Sequence, residues 1–275
     1  NAEHIYAPPQ SINLWHEGSF IGPFVYETTG TADLVNFRWV YDTDTSNPRK
    51  IEYFCKGETY HLFAVIPSDT HLFCAPDGAT VFLWGSDRLG RDVFSRILYG
   101  AQLSLTVGLI GITVSFVLGI FFGSLAGYFG GKTDWLVNRA IEILRSLPEL
   151  PLWLALSAAV PSNWGPVSVF FIISIILGIL DWPGLARAVR SKFLSLREEE
   201  YVKAAEMMGA SPARVIRKHL LPNFMSHLIA SATLSIPAMI LGETALSYLG
   251  LGLRAPAVSW GVMLNDAQNL ASIEI

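Results

Sequence analysis

Between residues 102 and 131 the chain carries no Asp, Glu, Lys or Arg. An α-helix needs about 20 apolar residues to cross the hydrocarbon core of a bilayer, so this run is long enough to span one. Gly119, Gly123 and Gly127 recur every four residues along it. That spacing puts them on one helix face, where small residues let helices pack closely in lipid. Composition agrees: 51% of the 275 residues are hydrophobic and 15% charged, against roughly 25% charged in soluble domains. The chain is expected to be a membrane protein.

Three further spans are expected. The second covers about residues 140–160, after a short polar loop (GYFGGKTDWLVNR, 127–139) with Lys132, Asp134 and Arg139. It holds Glu142, Arg145 and Glu149 at spacings of three and four, hence on one face. Charges in a membrane helix face a protein or aqueous interior. These three either pair with one another at the inner end or line a pathway, and their place in the first half of the segment favours pairing. Residues 161–166 (PSNWGP) read as a tight turn with an interfacial tryptophan. The third span, about 167–189, contains Asp181, which needs a partner, and Pro183, which should kink the helix. The fourth, about 221–246, contains Pro237 and, near its far end, Glu243.

Ahead of the spans, residues 1–84 read as a small, irregular, mostly β or loop domain. Strand-like runs rich in aromatic and β-branched residues occur at 37–41 (FRWVY) and 60–66 (YHLFAVI), with a turn cluster (DTDTSNP, 42–48) between them. Cys55 and Cys74 are 19 residues apart. In an oxidising compartment they would close a disulfide worth about 3 kcal/mol; otherwise they are two free thiols. His4, His16, His61 and His71 fall at no metal-ligand spacing, so no metal site is expected. The chain begins at Asn1 rather than Met and is expected to be part of a longer protein.

The polar stretch 201–222 (YVKAAEMMGASPARVIRKHLLP) sits just before the last span. It opens as a short amphipathic helix with Val202, Ala205 and Met208 on one face and Lys203 and Glu206 turned away. Gly209 should end that helix, Ser211 reads as an N-cap and Pro212 as the first residue of a new helix. Ala204-Ala205, then Gly209, then Leu221-Pro222 resemble the EAA loop of bacterial ATP-binding-cassette importer permeases. Lys203 stands where the general motif has Glu, and His219 where it has Ile; His before Leu-Leu-Pro-Asn resembles the dipeptide/oligopeptide (peptide/nickel) branch.

Two more blocks carry the same resemblance. Residues 85–96 (GSDRLGRDVFSR) look like the Gly-Thr-Asp-x-x-Gly-Arg-Asp segment that precedes a span in oligopeptide-type permeases, with Ser86 in place of Thr. Its Gly85, Asp87, Gly90, Arg91 and Asp92, together with Arg88 and Arg96, suit an ion-paired brace at the membrane face over residues 85–101. Residues 242–253 (GETALSYLGLGL), followed by Ser259-Trp260-Gly261, are similar to the pattern after the family's fifth helix.

The resemblance implies an all-α polytopic protein of the type I importer-permease fold, the second-permease (C-type) subunit, with residues 102–275 as the transmembrane domain. It implies a homologous permease, two ATPase subunits that carry the ATP and magnesium, an external solute-binding protein, and six spans in the intact subunit. It assigns ATPase coupling to Tyr201, Ala204, Ala205, Glu206, Gly209, Leu221 and Pro222. This chain is expected to bind no cofactor and no nucleic acid, to have membrane lipid around it and to carry no catalytic residue. The substrate class implied is peptides, with nickel complexes, sugars and opine-like compounds also associated with such permeases.

Charge sets the expected orientation. The loops 128–139 and 190–220 carry 2 and 7 Lys/Arg, whereas 161–166 and 248–275 together carry one, Arg254. The positive-inside rule puts the first pair in the cytoplasm of a bacterial inner membrane, and residues 1–100 outside it. Residues 1–96 hold 7 Lys/Arg against 12 Asp/Glu, an acidic balance suited to docking a soluble partner. Two other classes fit the sequence less well. A membrane-embedded enzyme would cluster Glu142, Glu149, Asp181 or Glu243, but these are scattered singly. An ion-coupled transporter would show internal repeats with broken helices, and none is visible. The run Asp87–Arg91 lacks the Gly-Lys-Ser/Thr ending of a phosphate loop, and Gly250-Leu251-Gly252 follows a membrane helix rather than a strand, so no nucleotide site is expected.

Overall fold

The computed structural model describes residues 4–33, 38–62, 66–75, 80–161 and 163–268. In their described parts these form two compact units, Asn1–Leu103 with Asp266–Ile275, and Ser104–Asn265.

The first unit is built on strands. β1 (Asn13–His16), β2 (Ser19–Asp33) and β3 (Arg38–Lys50) make an antiparallel sheet in that order, and β4 (Glu52–Leu62) pairs with β5 (Ile66–Cys74). Phe24, Val25, Ile51 and Phe82 are buried at its centre. Gln10 ties the chain start to the sheet, donating to the Tyr26 carbonyl and accepting from the Phe82 N–H (3.2 and 2.8 Å). The turn predicted at 42–48 is strand instead. Its turn-forming residues survive as a bulge: Tyr26 pairs with Pro48 but Glu27 with Asp44. Asp44 accepts from the N–H and hydroxyl of Ser46, the local bonding that makes such residues leave a ladder. Of the two predicted runs, residues 37 and 63–65 lie outside the described residues; the rest falls in β3, β4 and β5. Cys55 and Cys74 form a disulfide between β4 and β5.

The second unit is helical. α1 (Val93–Phe129) begins in the first unit and continues here, followed by α2 (Gly131–Arg145), α3 (Glu149–Ala158) and α4 (Pro166–Leu196). α5 (Glu200–Met207) and α6 (Pro212–Val215) come next. A π-helical turn (Ile216–Leu220) then joins α6 to α7 (Leu221–Tyr248), and α8 (Trp260–Ala267) follows. Among the described residues, three stretches are long and apolar enough to cross a membrane: Val93–Phe129, Pro166–Leu196 and Pro212–Tyr248.

The glycine stripe packs α1 on α4. A Cβ built on Gly119 would lie 2.9 Å from Leu185, one on Gly123 2.6 Å from the Ala186 carbonyl oxygen, and one on Gly127 2.8 Å from that of Arg190. Backbone contact this close is available only to glycine, and it supplies the dispersion that holds helices together in lipid. Val137 and Ile141 of α2 pack with Ala126, Trp182 and Ala186.

The span expected over 140–160 is not a single helix. Its first part belongs to α2, which starts inside the predicted polar loop and stops at Arg145; α3 begins afresh at Glu149. Pro148 explains the break. It lacks an N–H, and it drives the residue before it out of the helical region. The ten residues of α3 rise about 15 Å, half the ~30 Å hydrocarbon thickness.

Candidate functional site

The polar stretch before α7 folds as an elbow. α5 buries Val202 and Ala205, and Val202 joins a core with Phe193 of α4, Val215 of α6, Leu220 of the π-helical turn and Phe224 of α7. The helix ends in a Schellman arrangement. The Ala210 N–H donates to the Ala205 carbonyl (3.1 Å) and the Gly209 N–H to that of Glu206 (2.9 Å). Gly209 sits at φ 82°, the left-handed backbone that this closure needs and that other residues adopt at a cost. Ser211 stands at the N-cap in an extended conformation, with no side-chain cap bond, and Pro212 follows it.

Besides an exposed ion pair from Lys203 to Glu198 (3.1 Å), two hydrogen bonds tie α5 to the spans. The Tyr128 hydroxyl donates to Glu206 Oε1 (2.6 Å), and Asn223 Nδ2 donates to the Tyr201 hydroxyl (3.0 Å). Glu206 therefore has a partner in α1. Met208, placed by periodicity on the buried face, is 82% exposed, and Met207 is 88% exposed. Met208 is the C-cap, and the chain turns away before another helical turn can carry it inward. Tyr201 and Ala204 are exposed as well, while Leu221 packs at the edge of the core and Pro222 lies in the first turn of α7. The elbow thus presents a ridge of two flexible apolar side chains on a short, independently docked helix. Such thioether-rich surfaces suit adaptable protein contacts. Sequence reasoning missed Met207; the signal was an extra methionine just before the helix-ending glycine.

Arg190 of α4 grips Asp134 of α2 with one edge of its guanidinium, Nε to Oδ1 and Nη2 to Oδ2 (the latter at 2.5 Å), and Asn138 Nδ2 adds a bond to Oδ1 at 2.7 Å. The Arg190 hydrogen bonds hold the Asp134 carboxyl below its usual pKa.

The polar residues of the helices separate into four settings. Glu142 pairs with Arg139 (3.1 Å). Among the described residues no salt bridge joins Glu142, Arg145 and Glu149, so the expected mutual pairing is not formed. Arg145 and Glu149 instead line a cavity of about 120 Å³ with Trp153 and Leu180. Asp181 accepts from the Ser115 hydroxyl (2.9 Å). Glu243 is fully buried. Ser247 and Ser104 donate to its two oxygens at 2.7 and 3.4 Å. Ser247 accepts in turn from the Leu253 N–H (2.9 Å) and Ser104 from the Trp260 N–H (3.2 Å). This closed network fastens the segment after α7 onto α7 and α1, and leaves Glu243 no face toward a pathway.

In the first unit, residues 85–96 form a turn and a helix start. Gly85 and Gly90 hold left-handed backbone (φ 75° and 70°), and Ser86 bridges to Asp92. Asp92 caps α1, accepting from the Ser95 N–H at 2.8 Å. Asp87 takes Arg91 Nε at 2.7 Å and Arg96 Nη1 at 2.5 Å, while Arg88 and Arg96 reach Asp266 at 3.2 and 3.5 Å. Burial pushes the Asp87 carboxyl up, but the N–H groups of Arg91 and Leu89 and the Arg91 guanidinium outweigh it, and its pKa falls below the ordinary value.

Comparison with known proteins places this arrangement. The family model described as binding-protein-dependent transport system inner membrane component matches residues 119–275. The chain is 44% identical over 183 residues to the dipeptide transport system permease protein DppC of Bacillus subtilis (strain 168), covering 66% of this chain and 55% of that protein. It is 37% identical over 200 residues to the oligopeptide transport system permease protein OppC of the same organism, 72% of this chain and 64% of that one. A putative peptide permease protein of Brucella ovis is 35% identical over 224 residues, with 78% and 72% covered. The chain thus spans somewhat over half of the DppC length and under two thirds of the OppC length. Among solved structures, an inward-facing form of the MetNI methionine ABC transporter superposes with TM-score 0.51 at 20% identity, over 63% of this chain and 81% of that one; this supports the fold. The chain belongs to the family of binding-protein-dependent transport system inner membrane components.

Proposed function

We propose that this chain is the C-type permease subunit of an ATP-driven importer in a bacterial inner membrane, lining half of a pathway for peptides or similar small solutes. It pairs with a homologous permease and with two ATPase subunits that hold the ATP and magnesium, and it receives solute from an external binding protein. It performs no bond chemistry itself. Relatives named as dipeptide and oligopeptide permeases support the substrate class.

The observation that carries the reading is the elbow. α5 is a small separate body, seated by Val202 and Ala205, with Met207 and Met208 bare at its tip. Docked in a groove of an ATPase, it would pass a push through Val202 into α4 and α7, the two spans that share its core. Coupling of this kind needs packed elements with discrete arrangements. The disulfide between Cys55 and Cys74 supports an oxidising, extracytoplasmic setting for the strand-rich unit. Its acidic balance fits a docking role there, alongside the solute-binding protein.

The test replaces both methionines, Met207→Glu with Met208→Glu, in membranes holding all partner subunits. The expected result is loss of ATPase co-purification and of ATP-driven dipeptide uptake by tenfold or more, about 1.4 kcal/mol or above in binding, with membrane insertion unchanged. Normal uptake with an intact complex would reduce the elbow to a linker, whereas an unmutated chain that neither co-purifies an ATPase nor supports ATP-driven uptake would end the importer reading.

A further inference from the structure

A groove of about 1000 Å³ lies between residues 112–129 of α1 and residues 211–221 of the elbow and early α7. Its walls are almost wholly apolar, with Phe116, Ile120, Phe121 and Phe129 among the lining residues. Four polar residues interrupt them: Thr113, whose hydroxyl donates to the Leu109 carbonyl at 2.7 Å, Ser211, Ser124 and Arg217. Ser124 is 5% exposed, and its hydroxyl has no hydrogen-bond partner. Arg217 lines the same groove, is itself exposed, and forms no salt bridge among the described residues. Arg214 and Lys218, within one turn of it, likewise have no acidic partner among the described residues.

We propose that this groove binds an anionic membrane phospholipid, with an acyl chain along the α1 aromatics and the phosphate at Arg217. The inference rests on the reading that the elbow faces the cytoplasmic leaflet. An apolar cleft open to hydrocarbon is filled by whatever hydrocarbon is at hand. A cation left unpaired where helices meet the interface takes a phosphate, and basic pockets between helices on the cytoplasmic side favour acidic headgroups. The orphaned Ser124 hydroxyl supplies a donor for a glycerol-ester oxygen beside the chain, the group a buried donor requires. A zwitterionic headgroup offers the same phosphate but brings its own cation, which Arg217, Arg214 and Lys218 repel. A protein helix in the groove would have to bring both an acid for Arg217 and an acceptor for Ser124. A lipid carries both. The bound lipid would join α1 to the turn that carries α5.

The test uses the full subunit assembled with its partners in nanodiscs containing phosphatidylglycerol or phosphatidylcholine with a photoactivatable tail. Labelled peptides are mapped by mass spectrometry. Phosphatidylglycerol is expected to label residues 112–129 at least fivefold more than phosphatidylcholine. Arg217→Gln should cut that labelling about fivefold, the weight of one basic side chain at an anionic surface. Exposure and lack of a partner make this substitution safe for folding. Equal labelling by both lipids, no effect of Arg217→Gln, or capture of a protein helix by a photo-cross-linker at Phe121 would each overturn the proposal. ATPase co-purification is read on the same sample. Its absence counts against the importer reading, whereas an intact complex without the lipid preference counts against this site alone.

Discussion

At the scale of single residues, the molecule depends on positions where a side chain is missing. Within the α1 stripe Gly123 is the tightest case, because what a Cβ would meet there includes backbone: the Ala186 carbonyl oxygen at 2.6 Å and its Cα at 3.0 Å. Neither can rotate away, so a methyl group must push α1 off α4. Gly123→Ala is expected to cost about 1–3 kcal/mol, the usual range for forced overpacking, read as a lower thermal midpoint of the detergent-solubilised protein. Gly165→Ala is the control, since nothing lies within 4 Å of its Cβ position and its φ is an ordinary −68°. A matching drop in both would mean the stripe is not a contact. The stripe itself was legible from sequence, because a four-residue repeat is a local signal. The cage around Glu243 was not: its donor Ser104 lies 139 positions away, and no spacing rule connects them.

At the scale of elements, the spans and the elbow differ in how firmly they are held. α1 and α4 are locked by backbone contact, whereas α5 rests on the buried Val202 and Ala205, on the hydrogen bonds of Glu206 and Tyr201, and on an exposed ion pair from Lys203 to Glu198. Elements with few buried apolar contacts open first, which suits the coupling role proposed for α5. Tyr128→Phe removes the bond to Glu206 and leaves the ring in place. Amide exchange across residues 200–208 should then quicken about fivefold to tenfold, matching a lost hydrogen bond of about 1–1.5 kcal/mol, while exchange in α1 and α4 stays unchanged. Equal acceleration in the spans would show that α5 does not open separately. Two errors of sequence reading belong to this scale. Met208 was placed inward by extending a helical period one residue beyond the helix. The span over 140–160 came from averaging hydropathy across Pro148, which divides α2 from α3.

At the scale of the whole molecule, what sequence conveyed best was the alternation of apolar runs with charged joints. It conveyed the ends of those runs poorly. α1 starts at Val93, well before the charge-free run, because Arg96 is neutralised by Asp87 and Asp266, partners that only folding brings to it. The same distribution of charge predicts which joints face the cytoplasm, and this can be read with single cysteines. The native pair Cys55 and Cys74 is consumed in a disulfide, so an introduced thiol is the one a maleimide finds. Ser46, on an exposed bulge of β3, and Met208, at the bare tip of the elbow, are both open to reagent. In intact spheroplasts an impermeant maleimide is expected to label Ser46→Cys fully and Met208→Cys at background, and permeabilisation should bring the second up to the first. The reverse pattern would put the seven basic residues of the 190–220 loop outside the cell, against the positive-inside rule. An elbow on that side could reach no ATPase, and both the coupling role and the cytoplasmic-leaflet lipid site would fall together.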